Sequence, residues 1–311
     1  MRAIFVSKYG GPDALEIVEI PTPEPGPGEL RVRVAAATVN PVDVETRDGT
    51  HRHVIPAERL PIGVGWDVAG TVDALGAGVD TFAVGDAVTA LDDRLVKDIG
   101  AYADYVVLDA EATAPAPRTA DPAAASTLPL NGVTALQALD LIDLVPDQTL
   151  LVTGAAGAVG GYIVELAASR GLHVVALAGG ADDQAVRRWG ARTFVARSAD
   201  PAAAVRDMFP DGVDGVIDPA DLRSAVLGAV RDGGKYVTLT PLRGPVESER
   251  DVQMLDQVVH HDQAVLTKLA GLVDDGALTL RVAETFPLDQ AAAAHELFAK
   301  GGVRGRIVLV P

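Results

Sequence analysis

The stretch "LLVTGAAGAVGG", from Leu150 to Gly161, is the feature that most constrains how this chain can fold. Its first four residues form a short apolar run bounded by glycine, which is typical of a buried strand. After the glycines, Val159, Ile163 and Leu166 recur at helical spacing. The stretch therefore predicts a buried strand that passes through a tight turn directly into a helix.

Three glycines, Gly154, Gly157 and Gly160, lie three residues apart across this junction. Glycines in such positions permit a tight turn, allow the backbone to approach a ligand and allow the helix to pack closely on the strand. The first amides of the helix lack internal partners and carry the positive end of the helix dipole, so they favour an anion. A tight strand-to-helix turn without a ligand is the alternative, and the surrounding sequence has to decide between the two.

Composition excludes several classes of function. The chain has 311 residues, enough for about two domains, and lacks cysteine, which excludes disulfides, cysteine–zinc sites, iron–sulfur clusters and thiol nucleophiles. Its formal charge of −17 disfavours a nucleic-acid partner. No segment approaches the roughly 18 apolar residues of a membrane helix, and "MRAIFVSKYGG" lacks the apolar core of a signal peptide. We expect a cytoplasmic protein without a membrane partner.

The pattern along the chain changes near residue 120. Up to about Ala114 it indicates short strands separated by Gly and Pro clusters, with few helical signals. From about Ser126 strands alternate with helices, which predicts a parallel sheet covered on both faces. The segment 286–310 predicts a final helix and a strand that could return to the first domain. The predicted strands of the alternating region are 149–154, 173–178, 193–196, 213–218 and 235–240, and its predicted helices are 157–170, 182–189, 200–209 and 221–231.

The glycine turn therefore follows the first strand of a strand–helix series, which is the context of a dinucleotide site. The second strand, "HVVALAGG", ends without a carboxylate at its tip, although Asp182 and Asp183 follow closely. Residues 184–199 contain four arginines and no acid, and arginine suits a 2′-phosphate. We therefore predict NADPH as the cofactor, with Arg197 as the partner of that phosphate, and assign two of the four arginines to a solvated helix face.

A short-chain dehydrogenase is the other family that the glycine pattern suggests. Here the motif begins near the middle of the chain, Ala158 replaces the middle glycine of that family's pattern, and no tyrosine is followed four residues later by lysine. These departures argue against it.

A second set of motifs carries a resemblance that spans nearly the whole chain. They are "GGPDALEIVEIPTPEPGPGELRVRVAAATVNPVD", "PIGVGWDVAGTV", "VGDAV", "GAYADYVV", "LPLNGVTALQAL", "LLVTGAAGAVGG" and "FPLDQAAAAHELF". In this order and spacing they resemble the zinc-independent, zeta-crystallin-like quinone oxidoreductases of the medium-chain dehydrogenase/reductase superfamily.

The resemblance implies an α/β fold, in which a doubly wound Rossmann domain is inserted in a GroES-like, β-rich domain. We expect the GroES-like domain to comprise residues 1–122 and 263–311, and the NADPH-binding Rossmann domain residues 123–262. The expected cofactor-binding residues are Gly154, Ala155, Ala156, Gly157, Ala158, Val159, Gly179, Arg197 and Thr240.

The sequence departs from the zinc alcohol dehydrogenases of the same superfamily. The points that correspond by motif to their catalytic zinc ligands carry Asn40, Trp66 and Asn131, and the cysteine-rich structural zinc loop is missing. None of these three side chains is a suitable zinc ligand in that geometry. We expect no metal site, and hydride chemistry that does not need a strong Lewis acid.

Several residues are candidates for that chemistry. We expect Asn40 to donate a hydrogen bond to the developing oxyanion or to orient the substrate. Thr134 resembles the family's residue beside the nicotinamide, and Asn131 would line the substrate site. Trp66 would form an aromatic wall for a flat ring, unless it is a core residue. His51 is either a proton donor or an exposed loop residue.

Other polar residues receive structural interpretations. We expect Asp43 and Arg47 to form an ion pair that fixes their loop. His260, His261 and His295 are interpreted as structural or exposed, and His51 with His53 is not expected to bind metal because a third ligand is not evident.

The sequence thus predicts an NADPH-dependent reductase of quinones or α,β-unsaturated carbonyls, a homodimer acting on a small molecule. A biosynthetic enoyl reductase with a dedicated substrate is an alternative within the same chemistry. A cofactor-binding protein with little catalytic activity is the alternative of another class.

Overall fold

A computed structural model describes residues 1–197, 200–247 and 250–311 of the chain. It contains two compact units. Unit 1 comprises residues 1–130 and 260–311, and unit 2 comprises residues 131–259.

The two kinds of element follow in chain order. The strands are β1 (Arg2–Val6), β2 (Leu15–Glu19), β3 (Glu29–Val39), β4 (Ile62–Gly63), β5 (Asp67–Leu75), β6 (Ala87–Leu91), β7 (Tyr105–Asp109), β8 (Thr113–Pro115), β9 (Thr149–Thr153), β10 (His173–Ala178), β11 (Thr193–Ala196), β12 (Val213–Asp218), β13 (Val230–Thr238), β14 (Gln253–Asp256), β15 (Val282–Pro287) and β16 (Arg306–Val310). The α-helices are α1 (Pro41–Asp48), α2 (Pro122–Ala125), α3 (Pro129–Ile142), α4 (Ala158–Ser169), α5 (Asp183–Arg188), α6 (Pro201–Arg206), α7 (Ser224–Leu227), α8 (Gln263–Asp274) and α9 (Ala291–Lys300).

Unit 2 is built on a parallel sheet with the strand order β11-β10-β9-β12-β13-β14. The strand β9 lies between β10 and β12, and its Val152 is in register with Ala176 and Ile217. This is the strand order of a doubly wound Rossmann fold, in which ligands bind beyond the carboxyl ends of the strands. The predicted parallel α/β sheet is confirmed.

Unit 1 contains two sheets, which are ordered β2-β1-β4 and β15-β16-β3-β5-β6-β8, with β7 also paired to β3. The long strand β3 pairs with β5 along one edge and with β7 and then β16 along the other. In the last pairing Thr38 lies opposite Val308. The end of the chain therefore returns to the first domain, as the sequence predicts.

The predicted helix 221–231 is wrong. Only Ser224–Leu227 is α-helical, and β13 begins at Val230. Asp221 and Arg223 adopt left-handed backbone angles, with φ of 52° and 54°, which interrupt a right-handed helix. The residues after Val230 pair with β12 and β14, and that long-range pairing overrides the local helical preference.

The helix α1 lies in a region where the sequence reading found few helical signals. Its boundaries have local causes. Asn40 is the N-cap, Pro41 occupies the first turn, and Gly49 ends the helix with a φ of 83°. The helix has only eight residues, so a periodic apolar pattern is weak while the capping residues are strong.

Within the described ranges, no helix has the length and apolar character to cross a membrane. The helix α3 spans 14 residues, against the roughly 20 that a bilayer requires.

Candidate active site

The glycine turn in unit 2 is shaped by its lack of side chains. Gly154 has a φ of 54°, and α4 begins at Ala158 with Gly157 as its N-cap. A Cβ atom on Gly160 would lie 2.2 Å from the carbonyl oxygen of Gly154, so only glycine allows the helix to pack against the turn. The backbone N–H of Ala155 donates to Leu177 O at 3.1 Å and fixes the turn on β10. The first amides of a 12-residue helix are thus held at the end of β9.

A cavity of about 270 Å³ lies at this turn and is lined by Gly154, Leu177, Arg197, Ala220 and Leu222. It brings together two of the predicted cofactor residues, one from the glycine turn and one from the end of β11. The exposed guanidinium and the positive helix end offer charge-assisted hydrogen bonds to an anion. The residues present therefore fit a phosphate-bearing dinucleotide.

Asp218, at the end of β12, orders the neighbouring strand ends. This buried carboxylate accepts hydrogen bonds from the hydroxyl groups of Thr153 and Tyr236 and from the backbone N–H of Arg223 at 2.8 Å. The N–H of Ala220 in turn donates to Thr153 Oγ1 at 3.1 Å. Burial and the Asp218 carboxylate raise the pKa of Tyr236, so its hydroxyl stays a donor. The loop after β12, which lines the cavity with Ala220 and Leu222, is therefore fixed by backbone hydrogen bonds at Ala220 and at Arg223.

Thr240 follows β13 at the same edge of the sheet. Its hydroxyl donates to Asp221 Oδ1 at 2.6 Å, and Arg243 donates to the other oxygen of that carboxylate at 2.7 Å. Thr240 is thus fastened to the loop after β12, and its predicted contact with a cofactor stays a prediction.

The tip of β10 carries Gly179, and the two acids that follow it are engaged within unit 2. Asp182 is 7% exposed, and its Oδ2 lies 3.0 Å from the position of a Cβ atom on Gly179. Asp183 forms an ion pair of 2.6 Å with Arg187, across one turn of α5. Arg187 is thus one of the arginines on a helix face, as the sequence reading assigned to two of the four.

Unit 1 contains a buried polar cluster formed by Thr38, Asn40 and Asp67. The Asn40 amide donates to Asp67 Oδ2 at 2.6 Å and to Thr38 Oγ1 at 3.1 Å, and the Thr38 hydroxyl donates to the same carboxylate oxygen. The other oxygen of Asp67 accepts from the N–H of Leu130 at 2.5 Å. Burial raises the pKa of Asp67, while these donors and Arg306 lower it. The Asn40 amide is thus engaged with side chains of the protein, which favours a positioning role over direct donation to a substrate.

Asp43 holds the backbone around this cluster. Its carboxylate accepts from the N–H groups of Asn40 and Gly65, each at 2.9 Å, because a residue at the third helical position reaches back to the N-cap. Burial raises its pKa to about 6, against the lowering effects of the hydrogen bonds and Lys97. The predicted ion pair with Arg47 is therefore wrong, since Arg47 contacts His295 instead.

Arg47, His295 and Tyr102 form a chain of buried hydrogen bonds. Arg47 Nη1 lies 3.2 Å from His295 Nδ1 and can only donate, so Nδ1 accepts and the proton sits on Nε2. That N–H donates to the Tyr102 hydroxyl at 3.3 Å, which donates to the carbonyl of Thr38 at 3.2 Å. Burial and the charge of Arg47 lower the pKa of His295 to about 3, so the ring is neutral. His295 is structural, one of the two alternatives that the sequence left open.

Trp66 is 9% exposed, and a cation covers one face of its ring. Lys97 Nζ lies 4.8 Å from the ring centroid and donates to the carbonyls of Asp92 at 2.9 Å and Gly65 at 3.1 Å. Burial lowers the pKa of Lys97 against the opposing charges of Asp92 and Asp43. At most the other face of the indole is open to a ligand.

His51 is buried rather than exposed, and its Nε2 lies 3.1 Å from Glu45 Oε2 on α1. Asn131 and Thr134 lie in unit 2 on α3 and are 0% and 8% exposed. His261, in contrast, is half-buried and contacts Asp93 at 3.0 Å.

Three members of these arrangements are not predicted from the sequence: Lys97, Asp67 and Glu45. Asp67 stands next to Trp66 in the motif "GWD", which is a usable signal. Lys97 and Glu45 lie in polar stretches that are indistinguishable from solvent-exposed sequence, so no local signal identifies them.

Among the residues that the structure describes, no group of three or more His, Asp and Glu side chains is arranged to hold a metal ion.

Comparison with known proteins identifies the family. The model for the alcohol dehydrogenase GroES-like domain matches residues 26–118, and the model described as zinc-binding dehydrogenase matches residues 189–309. The chloroplast envelope quinone oxidoreductase homolog of Arabidopsis thaliana is 30% identical over 329 residues, which cover 100% of this chain and 98% of the relative. The chain belongs to the zinc-independent quinone oxidoreductase family of the medium-chain dehydrogenase/reductase superfamily.

Two further proteins are similar to this member of the quinone oxidoreductase family. The NADPH-dependent alkenal/one oxidoreductase of Arabidopsis thaliana chloroplasts is 29% identical and covers 100% of this chain and 80% of its own length. A crystal structure of an NAD-dependent alcohol dehydrogenase is 30% identical, with a TM-score of 0.89 and complete coverage of both chains. The protein is an oxidoreductase of this superfamily that uses a nicotinamide cofactor and a small-molecule substrate. The predicted GroES-like domain is confirmed.

Proposed function

We propose that this protein is an NADPH-dependent reductase of quinones or α,β-unsaturated carbonyls that works without zinc. The observation that carries the proposal is the cavity in unit 2, which places Arg197 beside the glycine turn at the carboxyl edge of a parallel sheet. Bound NADPH would supply the hydride that such electrophilic substrates accept. The glycine turn, residues 154–159, would hold its phosphates.

The preference for NADPH over NADH rests on charge. Arg197 is exposed in the cavity, whereas Asp182 is buried and Asp183 is paired with Arg187, so an arginine is available to a 2′-phosphate and a carboxylate is not well placed for a bare ribose. The plant alkenal/one oxidoreductase is named as NADPH-dependent, which supports NADPH. The solved alcohol dehydrogenase is named as NAD-dependent, which supports NADH.

A fluorescence titration of both cofactors tests this preference. Arg197→Ala should weaken NADPH binding by about tenfold, since a charge-assisted hydrogen bond contributes about 1.5 kcal/mol, and should leave NADH binding unchanged. Arg188→Ala is the matched control, because Arg188 is equally exposed on α5. An unchanged NADPH/NADH ratio in Arg197→Ala would remove Arg197 from the cofactor site.

The side chains of unit 1 would orient the substrate. We propose that Asn40 acts by fixing Asp67 and Thr38, and that Trp66 offers its uncovered face to a flat ring. Asn131 and Thr134 remain proposed substrate and nicotinamide neighbours.

Zinc independence rests on the donor set. The amide of Asn40 donates to its neighbours and Trp66 packs on a cation, and neither side chain binds zinc. Elemental analysis of the purified protein should find no stoichiometric zinc, and turnover should survive a chelator. One tightly held zinc per chain, with loss of turnover on its removal, would contradict the proposal.

Oxidation of NADPH with a panel of quinones and enones tests the reaction. Turnover of any member argues against the alternative of a cofactor-binding protein with little activity, and failure with every member would favour it. A sharp preference for one acyl-linked enone would favour the dedicated enoyl reductase.

We also propose that the protein is a cytoplasmic homodimer. Analytical sedimentation would test the dimer, and localisation in cells would test the compartment.

A further inference from the structure

Two ionisable side chains, one buried and one half-buried, are paired at the carboxyl-terminal end of α1. Glu45 lies on α1, and His51 follows the left-handed Gly49 that ends this helix. His51 Nε2 and Glu45 Oε2 are 3.1 Å apart, and the two side chains are only 5% and 16% exposed. The carboxylate oxygen can only accept, so it fixes the proton of the ring on Nε2.

The second nitrogen of the ring is unused. His51 Nδ1 is buried and has no hydrogen-bond partner among the residues that the structure describes. The titratable side chains that face the ring are Glu45 and His53, and the ring centroid of His53 lies 6.4 Å from that of His51. A buried nitrogen without a partner costs free energy, and its retention in a folded protein calls for an explanation. A ligand atom that bonds to Nδ1 provides one.

We propose that Glu45 and His51 form the proton-donating pair of this reductase, with Nδ1 of His51 as the donating atom; this rests on the proposed reduction of quinones or enones. As hydride adds to a carbon conjugated to the carbonyl group, the C=C π electrons shift into the adjacent C–C bond and the C=O π electrons move to oxygen. The Nδ1–H bond breaks and an O–H bond forms to that oxygen. The ring is left neutral with its Nε2–H on Glu45, and water restores the proton.

Glu45 is the positioning residue of the pair. Its negative charge stabilises the imidazolium that donates the proton and holds the ring in one orientation. A protonated imidazole is an effective general acid toward an oxygen that gains charge. An amide in place of either member would keep the size of the side chain and lose this property.

The kinetic experiment compares His51→Asn and His51→Gln with His53→Asn, in which an exposed neighbouring histidine is replaced. Using the enone or quinone that the wild type reduces best, both His51 variants should lose at least about 100-fold in kcat. His53→Asn should keep the wild-type kcat. A His51 variant that folds and keeps the wild-type kcat overturns the proposal.

Glu45→Gln should lower kcat and leave the KM for NADPH unchanged, because a neutral amide holds the protonated ring in place less well than a carboxylate. A variant that keeps the wild-type kcat removes Glu45 from the mechanism.

Nitrogen NMR of ¹⁵N-histidine-labelled protein tests the pair without turnover. The resonances assigned by their loss in His51→Asn should show the proton on Nε2 in the neutral ring, and they should shift in Glu45→Gln but not in His53→Asn. A neutral ring protonated on Nδ1 overturns the pair. If the wild type reduces no substrate of the panel while these resonances behave as expected, the proposed function fails and the pair itself stands.

Discussion

His295 makes the stability of unit 1 depend on pH, and replacing it with glutamine should remove that dependence. The ring is held neutral between Arg47, which donates to Nδ1, and Tyr102, which accepts from Nε2. Burial is the larger cause of its lowered pKa, about 3, and the charge of Arg47 is the second. Glutamine is polar, of similar length and does not titrate, so His295→Gln isolates the contribution of the proton.

The sign follows from comparing the folded and unfolded states. As pH falls below 6.5, the ordinary value for histidine, the unfolded chain binds a proton while the folded chain does not until about pH 3. The free energy of unfolding must therefore decrease as pH falls through this window. For the unfolded histidine, the proton-binding polynomial is about 11 at pH 5.5 and about 1.1 at pH 7.5, whereas that of the folded histidine stays close to one. The free energy of unfolding is therefore lower at pH 5.5 by about 1.4 kcal/mol.

Urea unfolding at these two pH values provides the assay. Trp66 lies in unit 1 with His295, so a Trp189→Phe background leaves a fluorophore that reports on that unit. The wild type should lose about 1.4 kcal/mol more than His295→Gln, which is about 0.7 M in urea midpoint for a slope of about 2 kcal/mol/M. All other groups titrate in both proteins and cancel in the difference.

The exposed His53 supplies the control, since His53→Gln should keep the wild-type difference between the two pH values. Losses that agree within about 0.3 kcal/mol for the wild type and His295→Gln would refute the reasoning, because they would mean that the folded protein accepts the proton on His295 as readily as the unfolded chain does.

Three further changes have defined outcomes. Gly160→Ala should destabilise unit 2 by about 1–3 kcal/mol in thermal unfolding and weaken NADPH binding, because the new Cβ would lie 2.2 Å from a carbonyl oxygen of the turn. Gly271→Ala is the control: its Cβ would enter open space, so it should change neither stability nor NADPH binding. In the wild type the free energy of unfolding should decrease by about 2 kcal/mol as the pH rises from 4 to 6, because the folded Asp43 carboxyl, with a pKa of about 6, binds its proton more tightly than the unfolded one. Asp43→Asn should remove this decrease, and parallel pH dependence of the two proteins in denaturant titrations would contradict it. Lys97→Met should cost about 3 kcal/mol by leaving the buried Asp92 with one cationic partner fewer, and an unchanged melting temperature would argue against the pair.

The parallel sheet could be predicted because its information is local. Each of its first four strands, such as Thr149–Thr153 and His173–Ala178, is a short apolar run bounded by turn residues, and each agrees with the prediction to within one residue. The position of Arg197 beside Gly154 follows from the same rule, because parallel strands present their carboxyl ends at one edge.

The arrangements that could not be predicted depend on distant pairing. The strand β13 begins inside the predicted helix because Val230 pairs with Val213 of β12, and the later residues Lys235–Thr238 pair with both β12 and β14. The contact of Arg47 with His295 joins residues 248 positions apart, and no spacing rule reaches that far. The motif predicts that Asn40 contacts the substrate or its oxyanion, and that role stays a prediction. The hydrogen bonds of its amide to Asp67 and Thr38 depend on the pairing of β3 with β5, which the motif does not specify.

The pairing of β16 with β3 has a consequence for how the chain matures during synthesis. Thr38 leaves the ribosome 270 residues before its partner Val308. At about 5–20 residues per second, β3 waits roughly 14–54 s for that neighbour. Unit 2 is continuous and is complete at residue 259, so it can close first. During that interval the nascent amino-terminal segment exposes an unpaired strand edge, which is the form in which chaperones bind newly made chains and in which premature termination would be most damaging.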